Sequence, residues 1–178
     1  MVDVAQGRVV EELYKNLVIW DDPVHELAAV QGWISLVRRD AVWDFKPDLI
    51  RANILFSGEK RLVTLGNHDL NFQAVANIFF GFIGRASGFS EGELLLGAGI
   101  AQIKSHGIVW ENLNLSQLGD QAFDVWAVKF GFYLFDLYGW DLNIYEWNEI
   151  RLLDKDAFAQ ALDDYIQAYG EPPELPTP

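Results

Sequence analysis

The stretch whose reading decides the fold is N-I-F-F-G-F-I-G-R-A-S-G-F-S-E-G-E-L-L-L-G-A-G-I-A-Q, residues Asn77 to Gln102. Asn77, Gly81, Gly84 and Gly88 recur at spacings of three and four, so on a helix they share one stripe almost bare of side chains. Ser90 with Glu93 makes a capping box ahead of the apolar run Leu94, Leu95, Leu96, and Gly97, Ala98 and Ala101 form a second small-residue stripe. The expected product is a tight helical hairpin. A glycine inside a helix costs roughly 1 kcal/mol relative to alanine, so propensity does not account for so many. Close approach does, and two readings of it stay open. Either a partner helix packs on the stripe, or Gly81 and Gly84 wall a binding site near Asn77, Arg85 and Gln102.

Working outward, Gly66-Asn67-His68-Asp69 reads as a turn, with Asp69 or Asn71 available to cap the helix that carries Asn77. Before it, residues 50–56 and 60–65 flank Ser57-Gly58-Glu59 and predict a β-hairpin. Asp22-Pro23 is a start signal for an earlier helix running through Ala29 and Trp33 to Arg38-Arg39, preceded by a first helix over residues 9–17. Downstream, Asp120 is expected to cap a helix over residues 121–138 that Gly139 stops, with Phe123, Ala127, Phe130, Gly131 and Leu134 on its buried side. Asp120 and Asp124 stand four apart and would share a helical face, where two like charges call for a cation, a shared proton or an outside donor. A last amphipathic helix over residues 154–169 turns Phe158, Leu162, Tyr165 and Ile166 inward and a solvated acidic face, Asp156, Asp163 and Asp164, outward. A Pro-rich tail follows from Glu171. The whole reads as a single domain, mainly helical α+β, with a small antiparallel hairpin.

The 178 residues hold 51% hydrophobic and 14% aromatic side chains and no Cys. That composition fits one ring-rich domain and excludes thiolate zinc sites and disulfides. A net charge of -13 disfavours nonspecific attraction to nucleic-acid backbones and suits a basic partner. The longest apolar run, residues 74–84, is too short to span a bilayer, and Met1 to Gly7 lacks the features of a signal peptide.

Three segments together resemble a known family. W-D-F-K at Trp43 to Lys46, the N-x-x-F-G-x-x-G-x-A-x-G helix from Asn77 followed by L-L-x-x-A-G-x-A-Q, and G-D-Q-A-F-D at Gly119 to Asp124, ending at Gly131, appear in the order of the bacterial polymorphic toxin type 44 domain. The resemblance spans about residues 43–131. It departs at Ala74 to Ala76, where members usually carry an acidic residue and a glycine. It implies a toxin delivered by a bacterial secretion system as part of a larger polypeptide and neutralised by a cognate immunity protein.

The polar residues on the matching segments are Asp44, Lys46, Asn77, Arg85, Gln102, Asp120 and Asp124. No Ser-His-Asp order, H-E-x-x-H or phosphate-binding glycine loop accompanies them, and the three histidines do not reproduce a metal-ligand spacing. No cofactor or metal is expected. Two chemistries fit what remains. A hydrolase of cell-envelope glycan, muramidase-like, would use Asp120 and Asp124 as acid and ionised partner with Asp44 and Lys46 beside them. A ribonuclease would use Lys46 or Arg85 to stabilise the charge developing on phosphorus. The envelope glycan is the first expectation. The bland reading, in which Asp120 is a cap, Asp124 a solvated residue and Asn77 a buried amide between helices, stands beside both.

Overall fold

The computed structural model describes residues 12–15, 23–37, 62–106, 121–139 and 155–173. Along the chain these form α1 (Pro23–Val37), β1 (Leu62–Leu65), β2 (His68–Asn71), α2 (Phe72–Ala86), α3 (Glu91–His106), α4 (Ala122–Tyr138) and α5 (Lys155–Tyr169). Residues 12–15 are also helical and carry Leu13 into the core.

Helix α4 is apolar on nearly every side, which is the pattern of a helix enclosed by others. Phe123, Val125, Trp126, Ala127, Val128, Phe130, Gly131, Phe132 and Leu134 are all buried. It divides the interior in two. On one side Val125, Val128 and Phe132 pack with Trp33 of α1, Ile83 and Ala86 of α2, and Phe89, Leu94 and Leu95. On the other, Phe123, Trp126, Ala127, Phe130 and Leu134 pack with Leu70, Ala74 and Ile78 and with Ala161, Leu162 and Tyr165 of α5. The inward face expected of the last helix is confirmed, Leu162 and Tyr165 being buried and Phe158 and Ile166 packed against them.

The glycine stripe packs chiefly on α4, not along α3 as a helical hairpin would require. Asn77 meets Asp124, Phe82 meets Phe135 and Arg85 meets Asp136, so the partner numbers rise together and α2 and α4 run parallel. Where they cross, glycine faces glycine. A Cβ on Gly81 would overlap the carbonyl oxygen of Val128, and one on Gly131 would overlap that of Ile78 and lie 3.0 Å from Gly81 Cα. Gly84 instead takes the side chain of Leu94, which a Cβ there would meet at 2.5 Å. Gly88 lies beyond the end of α2 with φ 94°, a left-handed turn out of the helix. The second stripe on α3 does not close on a partner at Gly97, which faces open space.

The termini of α2 and α3 follow their local chemistry. Asn71 caps α2, its Oδ1 accepting from Ala74 N at 2.7 Å. The capping box forms as expected: Ser90 N donates to Glu93 Oε2 at 2.7 Å, and Glu93 N donates to Ser90 Oγ at 3.3 Å. The hairpin expected around Ser57-Gly58-Glu59 lies outside the described residues, and those residues hold another one. β1 pairs antiparallel with β2, Leu65 opposite His68, around Gly66 and Asn67, so His68 and Asp69 belong to a strand. Residues 50–56 lie outside those described. Gly66 has φ 60° and its Cα faces Ala159 of α5, and His68 Nε2 is 2.7 Å from Asp163 Oδ1, so the hairpin is laid against α5.

Candidate functional site

Asn77 stands in the second turn of α2 and Asp124 in the first turn of α4, and the parallel packing brings these two turns together. Asn77 Nδ2 donates to Asp124 Oδ1 at 2.6 Å, both side chains being partly buried. The amide supplies the outside donor that the acidic sequence around Asp124 asked for. The pair unites the second and third of the family-like segments, which are 47 residues apart in the chain. Near it, Trp126 donates Nε1 to the carbonyl of Gly170 at 3.1 Å and fixes the end of α5 against α4.

The shared helical face expected of Asp120 and Asp124 falls outside the described residues on the Asp120 side. α4 begins at Ala122, and Gln121 is its N-cap, with ψ 145° and no side-chain capping bond. The N-cap place expected for Asp120 is therefore held by Gln121. Asp120 itself lies outside the described residues, as do Asp44 and Lys46. Gln102 lies on α3, but its side chain is outside them too.

Arg85 belongs to the opposite end of the α2–α4 pair. Eight residues beyond Asn77, it is about 12 Å further along the helix axis. Its Nη1 donates to the carbonyl of Phe89 at 3.0 Å, its Nη2 is 3.6 Å from Asp136 Oδ1, and its guanidinium lies 6.0 Å from the centre of the Phe135 ring. Those contacts make it a clasp for the turn between α2 and α3. Gly81 and Gly84 are likewise occupied by protein, by α4 and by Leu94. The bare backbone that sequence offered either to a partner helix or to a ligand is therefore taken by the fold at both glycines. Where family members carry an acid and a glycine, Ala74 and Ala76 are buried. Asp69, the nearby acid on the hairpin, accepts a 2.6 Å bond from Thr64 Oγ1.

Sequence reasoning named both members of the tie without pairing them, because nothing local links positions so distant. The signal was present in the shared spacing: Asn77 precedes Gly81 by four, and Asp124 precedes Val128, the residue that Gly81 meets, by four. Among the described residues no three His, Asp or Glu side chains come together as a metal site. No described helix is long and apolar enough to cross a membrane.

A helical domain with an amide–carboxylate tie between its two central helices is the class that the geometry defines. The family model for bacterial toxin 44 matches residues 32–137, more than half of the chain. The chain belongs to that family and is a bacterial toxin domain of the polymorphic type. No curated protein and no solved structure matches it.

Proposed function

We propose that this toxin hydrolyses a cell-envelope glycan of the peptidoglycan type, with Asp124 as its ionised carboxylate. One observation carries this reading: the amide of Asn77 holds Asp124 Oδ1 at 2.6 Å, across two helices that belong to separate family segments. A glycosidase needs one carboxylate fixed as an acceptor or nucleophile and a second carboxyl group that begins protonated. An N–H donor fixes the first, because it favours the charged form of the group it addresses. Asp120 is the proposed acid, reaching the leaving oxygen from the segment that precedes Gln121. Asp44 and Lys46 complete the polar set, while Gln102 would contact substrate from α3. Arg85, Gly81 and Gly84 support the scaffold.

The family and the charge support a biological setting for this reading. The domain acts as an antibacterial effector, carried by a larger polypeptide or a secretion-system component into a target bacterium, where the periplasm holds the substrate. A cognate immunity protein neutralises it, and the net charge of -13 suits a basic surface on that partner. The test is expression of the domain in a bacterium with and without an export signal. Lysis of the exporting cells, with normal growth of the others, supports envelope glycan as the target. Growth arrest by the unexported form overturns it in favour of a cytoplasmic substrate such as RNA.

A further inference from the structure

We infer that the Gly81–Gly131 crossing sets the Asn77–Asp124 hydrogen bond, so that two glycines in contact only with protein act as positioning residues for the Asp124 carboxylate. This inference rests on Asp124 being the working carboxylate of the proposed reaction. Asn77 lies one turn before Gly81, and Asp124 lies one turn before Val128, whose carbonyl oxygen is packed against Gly81. The tie is thus the next rung below the crossing. Asn and Asp are short side chains, and helices packed through ordinary residues keep their axes about 8–10 Å apart. Backbone against backbone at Gly81 and Gly131 brings these two helices closer than that packing allows, and the closeness lets an amide and a carboxylate meet without water between them.

The geometry sets how little tolerance there is. A methyl group on Gly131 would overlap Ile78 O and sit 2.8 Å from Phe82 N, both of them backbone atoms that cannot swing aside. The helices would have to part by roughly 1 Å to restore ordinary contact. A bond of 2.6 Å lengthened by that amount passes the upper limit of about 3.2 Å at which N–H donors bind oxygen. Asp124 Oδ1 would then lose the Asn77 donor. The same methyl group at Gly97 meets nothing within 4 Å and leaves the crossing alone.

The experiment compares Gly131→Ala, Gly97→Ala and Asn77→Ser in the intact chain. Two readings are taken: the side-chain amide signals of Asn77 in nitrogen–proton correlation spectra, and toxicity with and without an export signal. Gly131→Ala is expected to shift the Asn77 amide signals and lower toxicity at least tenfold with the helical circular dichroism retained, whereas Gly97→Ala changes neither. If Gly131→Ala fails to fold, Asn77→Ser carries the test, since it severs the tie and leaves the crossing intact; it should lose toxicity to the same degree. Full toxicity in Asn77→Ser, or a folded Gly131→Ala protein whose Asn77 signals stay in place, overturns the inference. The compartment in which cells die tests the substrate separately, because the tie can position Asp124 for either target.

Discussion

Asn77 and Asp124 are joined by a 2.6 Å hydrogen bond between the early turns of two parallel helices. Charge and tie can be separated there. In Asp124→Asn the new side chain keeps an oxygen that accepts from Asn77 Nδ2 but loses the carboxylate, so stability should change by only about 1 kcal/mol. Toxicity should fall at least a hundredfold. The exchange Asn77→Asp with Asp124→Asn moves the carboxylate to the other helix while preserving a bond between the two positions, and should be folded and inactive. Thermal melts and plating efficiency read both effects.

The glycines of the central helices differ in what a methyl group would meet, and their alanine variants should divide accordingly. Gly84→Ala displaces Leu94 from its place against α2 and should destabilise by about 1–3 kcal/mol, because a packed core accommodates added volume poorly. Gly97→Ala should stabilise by up to roughly 1 kcal/mol through helix propensity alone. Urea unfolding of the two variants beside the parent checks the order.

Ser90→Ala removes the acceptor of Glu93 N and the hydroxyl that donates to Glu93 Oε2 at 2.6 Å. The expected loss is about 1 kcal/mol, which for a domain of this size lowers the melting temperature by roughly 2–4 °C. Hydrogen exchange at the first turn of α3 should quicken before the rest of the molecule opens, since the change is local.

Tyr165 gives the fold an alkaline limit. Burial, with Tyr169 and Glu91 nearby, raises its phenol well above the ordinary value of 10.0. Below that value both folded and unfolded states hold the proton and no stability difference arises. Above it the unfolded chain ionises while folded Tyr165 does not, so stability falls as pH rises. Urea midpoints measured near pH 8 and near pH 11 should drop in the parent and drop less in Tyr165→Phe.

Local chemistry made much of this legible from sequence. The Ser90–Glu93 box, the Asn71 cap and the inward face of α4 each depend on residues within a turn or two of one another, and each is present. What the glycines at Asn77 to Gly88 could not reveal was the identity of their neighbour. A bare stripe specifies close approach without specifying to what, and adjacency favoured α3 over a helix almost fifty residues later. The strand at residues 68–71, expected as part of a turn, was hidden for a related reason. H-D-L-N has little strand propensity, and its pairing comes from Leu70 in the core and His68 against Asp163. Asp120 looked like a cap because Asp is a good one, yet the helix starts a residue later, with Gln121 in that place. The candidate site was legible as a set of residues, and the Asn77–Asp124 pairing only after the helices were in place.

The most direct test of the account is digestion of purified peptidoglycan sacculi by the purified domain and by its Asp124→Asn variant, with released soluble fragments separated and their new reducing ends counted. The account predicts sugar-terminated fragments from the parent and at least a hundredfold fewer from a variant that melts normally. Absence of release by the folded parent, or equal release by the variant, would contradict it.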